Sequence, residues 1–143
     1  LTILQDTREQ CPLRFSPYVR VEVTCLPTGA YSLQGFTDRV AIERKSLPDL
    51  VACTGRERER FIDVCRRLQA YEVRAVVVEA SVLDVLAHAY RSRMNPQSVL
   101  GTAIAIWADF GIPTVWAGDA ATAANLVERF FLRLWGRAQE QAA

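Results

Sequence analysis

Apolar and polar positions alternate in the first third of the chain and recur at helical spacing through most of the rest. "LTILQD" predicts a short strand ending on Asp6, followed by the polar turn "TREQCP". "VRVEVTCL" (Val19 to Leu26) has the period of a half-buried strand, and "AYSL" is a brief one between turns. "RVAIERK" is β-branched, apolar at Val40 and Ile42, and breaks at Ser46. Ser46 with Asp49 three residues later forms a capping box with a shortened carboxylate, and Pro48 suits a first helical turn, so a helix starts there. "GRERERFIDVCRRLQAY" predicts an amphipathic helix over 55–71, with Phe61, Val64, Cys65 and Leu68 on one stripe. "VRAVVVEA" is continuously apolar at strand length, as in a sheet covered on both faces. Helices follow from Ser81, from Pro96 to a C-cap at Gly111, and from an Asp119 cap, with the strand "IPTVWAG" before the last. Strands with short turns, then alternating helix and strand, predict one α/β domain over 1–143, a mixed central sheet flanked by helices.

Composition excludes some classes. With 50% apolar and 23% charged residues the chain is globular, not disordered. No apolar run approaches the ~20 residues of a membrane span, and no signal peptide precedes the first strand, so no membrane partner is expected. Cys11, Cys25, Cys53 and Cys65 form no CxxC pair and His88 is the single histidine, which argues for reduced thiols rather than structural zinc. The expected setting is intracellular: cytoplasm or nucleoid for a prokaryotic or phage protein, nucleus for a eukaryotic one. A net charge of +1 leaves nucleic acid open. The positive charge is nearly all arginine, which suits bidentate phosphate contacts. Lys45 is the only lysine.

That lysine stands two residues after Glu43, so the two share one face of their strand while Arg44 points away. In metal-dependent phosphodiester cleavage a carboxylate holds a hard cation such as Mg²⁺. A neighbouring lysine orients or deprotonates the attacking water, or stabilises developing charge. Arginine, with its pKa above ~12, cannot exchange that proton. Glu-x-Lys alone is more often a solvated pair, and "DTRE" alone a solvated turn. Together, Asp6, Arg8 and Glu9 at one strand end and Glu43 and Lys45 on another strand suit a metal site at a sheet edge.

"DTRE" followed by "VAIERKSLPDL" resembles the nuclease domain of the XPF family of structure-specific DNA endonucleases, within the PD-(D/E)xK superfamily that includes type II restriction enzymes. The likeness continues through "RERERFIDVCRRLQAY", "VRAVVVEAS", "NPQSVLGTAIAIWADFGIPTVWAG" and the last helix. It is closest to short prokaryotic or phage members without the tandem helix-hairpin-helix domain of many relatives. The resemblance implies a restriction-endonuclease-like fold, Mg²⁺ (or Mn²⁺) as cofactor and branched DNA or duplex/single-strand junctions as substrate. It implies Asp6, Glu9, Glu43 and Lys45 as catalytic residues, Asp6 and Glu43 as metal ligands, and Arg8 and Arg44 as supporting or phosphate-binding residues. The family's Gly-Asp-Tyr, whose Asp is a central metal ligand, is Gly29-Ala30-Tyr31 here.

Three readings of Ala30 stand side by side: a variant inactivated at one ligand, a natural non-catalytic DNA-binding or scaffolding subunit, or replacement of the ligand by Asp38. The intact Asp6, Arg8, Glu9, Glu43, Arg44 and Lys45 favour the first. Arg56, Arg58 and Arg60 in "GRERER", and Arg91 and Arg93 in "YRSRMNP", are candidate phosphate contacts. The last two long helices carry more apolar surface than one core face needs. Trp107, Phe110, Phe130, Phe131, Leu134 and Trp135 are therefore a candidate homodimer interface, which the resemblance also implies.

Overall fold

The computed structural model describes residues 1–143 throughout. In chain order its strands are β1 (Thr2–Asp6), β2 (Arg20–Thr24), β3 (Tyr31–Leu33), β4 (Val40–Lys45), β5 (Val73–Val78) and β6 (Thr114–Trp116). Its helices are α1 (Leu47–Thr54), α2 (Arg58–Leu68), α3 (Val82–Leu86), α4 (Pro96–Phe110) and α5 (Ala120–Ala142). One mixed sheet runs β2-β1-β3-β4-β5-β6. β3 pairs antiparallel with both β1 and β4, and the remaining pairings are parallel, so β3 alone runs against the other strands.

Alternation along the central strands divides the core into two layers. Ala41, Val76 and Val78 face a layer completed by α1, α2, α3 and α4, including Leu50, Phe61, Cys65, Val85, Val99 and Ile106. Val40, Ile42 and Val77 face the opposite layer with Ile3, Tyr31 and Leu33 against Val127 and Phe131 of α5. Burial on both faces is why Val76 to Val78 are apolar without alternation, whereas Arg74, near the start of the strand, is only half-buried.

The caps form as the sequence expects. Ser46 and Asp49 close a capping box on α1, Gly111 ends α4 in the left-handed region at φ 65°, and Asp119 caps α5 through the Thr122 amide. Three expectations change. β2 is not half-buried: it is the parallel edge strand, with Val21 and Val23 exposed, because only β1 flanks it. The 55–71 helix shortens to 58–68, since α1 ends at Gly55 and residues 55–57 turn the chain. The helix from Ser81 is a five-residue piece that ends before His88.

Candidate active site

β1, β4 and β5 run in the same direction, so their carboxyl ends meet at one edge of the sheet, and antiparallel β3 begins at that same edge. This brings Asp6, residues 29–31, Glu43 to Lys45 and Glu79 together from four separate stretches of chain. The edge opens into a cleft of about 420 Å³. Its lining includes Asp6, Arg8, Glu9, Gly29, Glu43 and Lys45, with Asp49 and Cys53 of α1, Arg56 and Glu57 of the turn, and Arg60, Phe61, Val64 and Arg67 of α2. Five cations and five carboxylates line it together.

The carboxylates differ in how they are engaged. Asp6 is 3% exposed, and both of its oxygens are taken. Oδ1 accepts from the Leu26 amide at 2.8 Å, and Oδ2 accepts from the Arg8 amide at 3.1 Å and from Arg8 Nε at 2.5 Å. Burial raises this carboxyl, but the Arg8 side chain and the two amides outweigh it and hold it below the usual carboxylate range. Asp6 thus ties the loop after β2 to the "DTRE" turn, and Arg8 Nη2 closes the same knot on the Leu26 carbonyl at 2.9 Å.

Arg44 points away from Glu43, as strand alternation requires, and is enclosed by two acids. Its Nε and Nη2 donate to Glu9 Oε2 at 3.2 and 3.0 Å, and its Nη1 donates to Glu79 Oε1 at 2.6 Å. Only 10% of the Arg44 side chain is exposed, so the expectation that it touches DNA phosphate gives way to a structural role. Its guanidinium is spent pinning Glu9, at the end of the first turn, and Glu79, after β5, to the strand that carries Glu43. Glu9 is likewise held rather than free, although it reaches the cleft wall. Glu79, one residue past β5, takes a structural part through this ion pair.

Of the four acids at the sheet edge (Asp6, Glu9, Glu43 and Glu79), Glu43 is the one without a side-chain partner: Oε1 accepts only the amide of Arg44, at 3.1 Å. Burial pushes its carboxyl up, opposed by the charge of Lys45 and that amide. Lys45 Nζ lies 5.4 Å from the centroid of the Phe61 ring, a cation–π contact that holds the ammonium against the cleft wall.

A divalent cation needs several converging oxygens. No group of three or more His, Cys, Asp or Glu side chains converges as a metal-binding group anywhere in the chain. Asp6 and Glu9 are committed elsewhere, Asp49 closes the α1 cap, and Glu57 pairs with Arg60 at 3.8 Å. The residues present therefore do not fit a Mg²⁺ or Mn²⁺ centre. Ala30 stands where the resemblance implies an aspartate, and it is not among the residues that line the cleft. Its carbonyl accepts from the Asp6 amide and its amide donates to the Ile42 carbonyl, each at 2.8 Å, so residue 30 lies between the ends of β1 and β4. Its methyl is 2% exposed and packs in the apolar layer. Gly29 beside it has φ 87°, and a Cβ there would meet the Ile42 carbonyl at 3.2 Å, so the close approach needs glycine.

Asp38 does not replace that aspartate. It is exposed in the turn before β4, at the opposite end of the strand from Glu43, and lines no part of the cleft. Among the arginines, Arg56 and Arg60 reach the cleft, whereas Arg58 is exposed outside its lining. Sequence reasoning missed Arg67, although its signal was available: Arg60, Val64 and Arg67 follow i, i+4, i+7 and form one stripe of α2 along the cleft. Arg91 lines an adjoining cleft, and Arg93 is exposed beyond it. The candidate interface residues divide as well. Phe131 is fully buried under the sheet, and Phe110 and Leu134 pack partly against the two core layers. Trp107, Phe130 and Trp135 stay exposed.

Comparison with known proteins identifies the family and the fold. Residues 5–130 match the family model described as the ERCC4 domain. XPF from Aeropyrum pernix superposes with a TM-score of 0.71 at 25% identity, over 94% of this chain and 61% of that one. The same protein in complex with DNA gives 0.72 at 24% identity, over 96% and 66%. A Methanocaldococcus jannaschii protein carrying the name of an ATP-dependent RNA helicase is 27% identical over 128 residues, which is 89% of this chain and 15% of that protein. The chain thus spans less than two thirds of each of these relatives. The cleft at the carboxyl edge of the sheet, the "DTRE" turn and the "ERK" strand all lie inside the matched segment, and the chain belongs to the ERCC4 domain family, with the fold of the XPF nuclease domain.

Proposed function

We propose that this chain is a structure-specific DNA endonuclease domain whose metal-dependent hydrolysis is disabled at position 30, leaving a cleft that binds branched DNA without cutting it. One observation carries the reading: Glu43 and Lys45 line one arginine-walled cleft in which no three acids converge to complete a metal site. In an intact member Mg²⁺ or Mn²⁺ would supply the Lewis acid. In this chain the residues bind and orient. Arg8, Arg56, Arg60 and Arg67 offer guanidinium groups to phosphates along the wall. Lys45 places its ammonium beside the position of the scissile phosphate, and the Arg44 clamp keeps its strand in register with the "DTRE" turn. Loss of the carboxylate at 30 also removes repulsion with DNA, so binding survives the loss of chemistry.

Fluorescence anisotropy with a labelled fork tests this. Four arginine contacts give a plot of log affinity against log salt with a slope of roughly −3 to −4, and Arg60→Ala or Arg67→Ala reduces its magnitude by about one. Arg58→Ala, outside the cleft, leaves the slope unchanged. A salt-independent affinity, or equal effects of Arg58→Ala and Arg60→Ala, contradicts binding in this cleft.

The apolar surface supports self-association. β6 is an open sheet edge with Val115 exposed, and beside it a cleft of about 560 Å³ is lined by Leu126, Val127 and Phe130 of α5. A C₂ homodimer covering this edge with Phe130 and Trp135 accounts for that exposure. Light scattering behind size exclusion should return a dimer at micromolar concentration and a monomer for Phe130→Glu; a monomeric parent chain would exclude the arrangement.

A further inference from the structure

A second cleft of about 590 Å³ opens beside the first and shares Ala52 and Arg56 with it. We propose that it takes one unpaired nucleotide of the bound DNA, with the base against Tyr90 and Met94 and the phosphate beside Arg56 and Arg91. The proposal rests on the DNA-binding reading above and specifies which part of a junction this chain recognises.

Three features of the cleft point to that occupant. Its charge is one-sided: Arg56 and Arg91 line it and no carboxylate does, in contrast to the five acids of the neighbouring cleft. A site with two guanidinium groups and no anion suits a phosphate. Its remaining wall is apolar and polarisable, formed by Val51, Tyr90 and Met94, which suits the face of a base. Its volume is that of a small-molecule site rather than a groove for a duplex. A base inside a stacked pair cannot enter such a pocket, so the occupant comes from an unpaired position next to the duplex held in the first cleft.

The loop that forms this wall is built in advance. His88 has φ 55°, the single non-glycine residue of the chain in the left-handed region. Its Nε2 lies 2.6 Å from the Ser92 carbonyl, and its ring stacks on Tyr90 with centroids 4.3 Å apart. Tyr90 donates its hydroxyl proton to the Met94 carbonyl at 2.7 Å, and the Met94 amide donates to Ser92 Oγ at 3.0 Å. Gly55 completes the fit, since a Cβ there would come within 2.9 Å of the Met94 methyl. Backbone strain held by this many contacts is characteristic of a positioned binding loop.

The test compares a blunt duplex with the same duplex carrying a single-stranded extension of about five nucleotides, using anisotropy at fixed salt. The parent chain should bind the extended DNA more tightly. Tyr90→Ala and Arg91→Glu should each weaken the extended DNA about tenfold while changing the blunt duplex less than about twofold. Tyr90→Phe, which keeps the ring, should retain the preference. With 5-iodouracil in the extension, photocrosslinking should label the peptide containing Tyr90 and Met94, a readout that needs no variant to fold. Equal losses on the two DNAs, or crosslinks only to other peptides, overturn the nucleotide site and leave the DNA-binding reading standing. A parent chain that binds neither DNA overturns both.

Discussion

Ala30→Asp is expected to lower the melting temperature in chelator by roughly 5–10 °C and to regain most of that loss when Mg²⁺ or Mn²⁺ is added. Position 30 is 2% exposed, between the end of β1 and the strand carrying Glu43. A carboxylate there is buried beside the strand that carries Glu43, whose own carboxyl is already pushed up by burial. Two acids in one poorly solvated place repel, and burying the second without a partner costs about 2–3 kcal/mol. For a domain of this size each kcal/mol shifts the melting temperature by roughly 3 °C. A cation bound between the two carboxylates removes the repulsion and stabilises only the folded chain, so stability becomes metal-dependent. The parent chain, lacking the second carboxylate, should show little response to either metal. Differential scanning fluorimetry of the two proteins with and without metal makes the comparison, and a metal response of equal size in both would count against the gap at position 30.

The second large effect concerns Arg44. Replacing it with Met keeps the aliphatic stem but leaves Glu9 and Glu79 facing each other without the cation between them. Breaking a buried pair at one partner costs about 3–5 kcal/mol, mostly through the stranded charges. The loss should therefore be partly recovered in Arg44→Met with Glu79→Gln, which removes one of those charges. Chemical denaturation of the two variants measures this. If Arg44→Met costs under about 1 kcal/mol, the ion pairs are surface-like and the clamp between strands is not needed.

Much of the fold was legible because its signals are local. The capping box at Ser46 and Asp49, the left-handed Gly111 and the apolar run at 75–78 each depend on a few neighbouring residues. β2 was misjudged because alternation reports two faces of a strand but not whether a second neighbour covers it. The site was legible as a set of residues but not as a set of roles. Asp6 was read as a ligand, yet the loop returning after β2 brings the Leu26 amide to one of its oxygens, a contact no spacing reveals. Arg44 was correctly turned away from Glu43 by alternation, but its two acid partners lie thirty-five residues before and after it in sequence. Their meeting is set by the parallel pairing of β4 with β5 and by the antiparallel β3. Lys45 and Ala30 were the clearest signals: the first is the one lysine in a chain that otherwise uses arginine, and the second departs from the pattern the family resemblance implies.

The most direct measurement is cleavage of an end-labelled fork by the parent chain and by Ala30→Asp, side by side in Mg²⁺, with Lys45→Ala added to the second. The parent should bind the fork and leave it intact, Ala30→Asp should cut it near the branch, and the double variant should fall silent again. A parent chain that cuts at a rate unchanged by Ala30→Asp contradicts inactivation at this position. A revertant that binds the fork but never cuts it assigns the chain instead to the non-catalytic DNA-binding subunits of this fold.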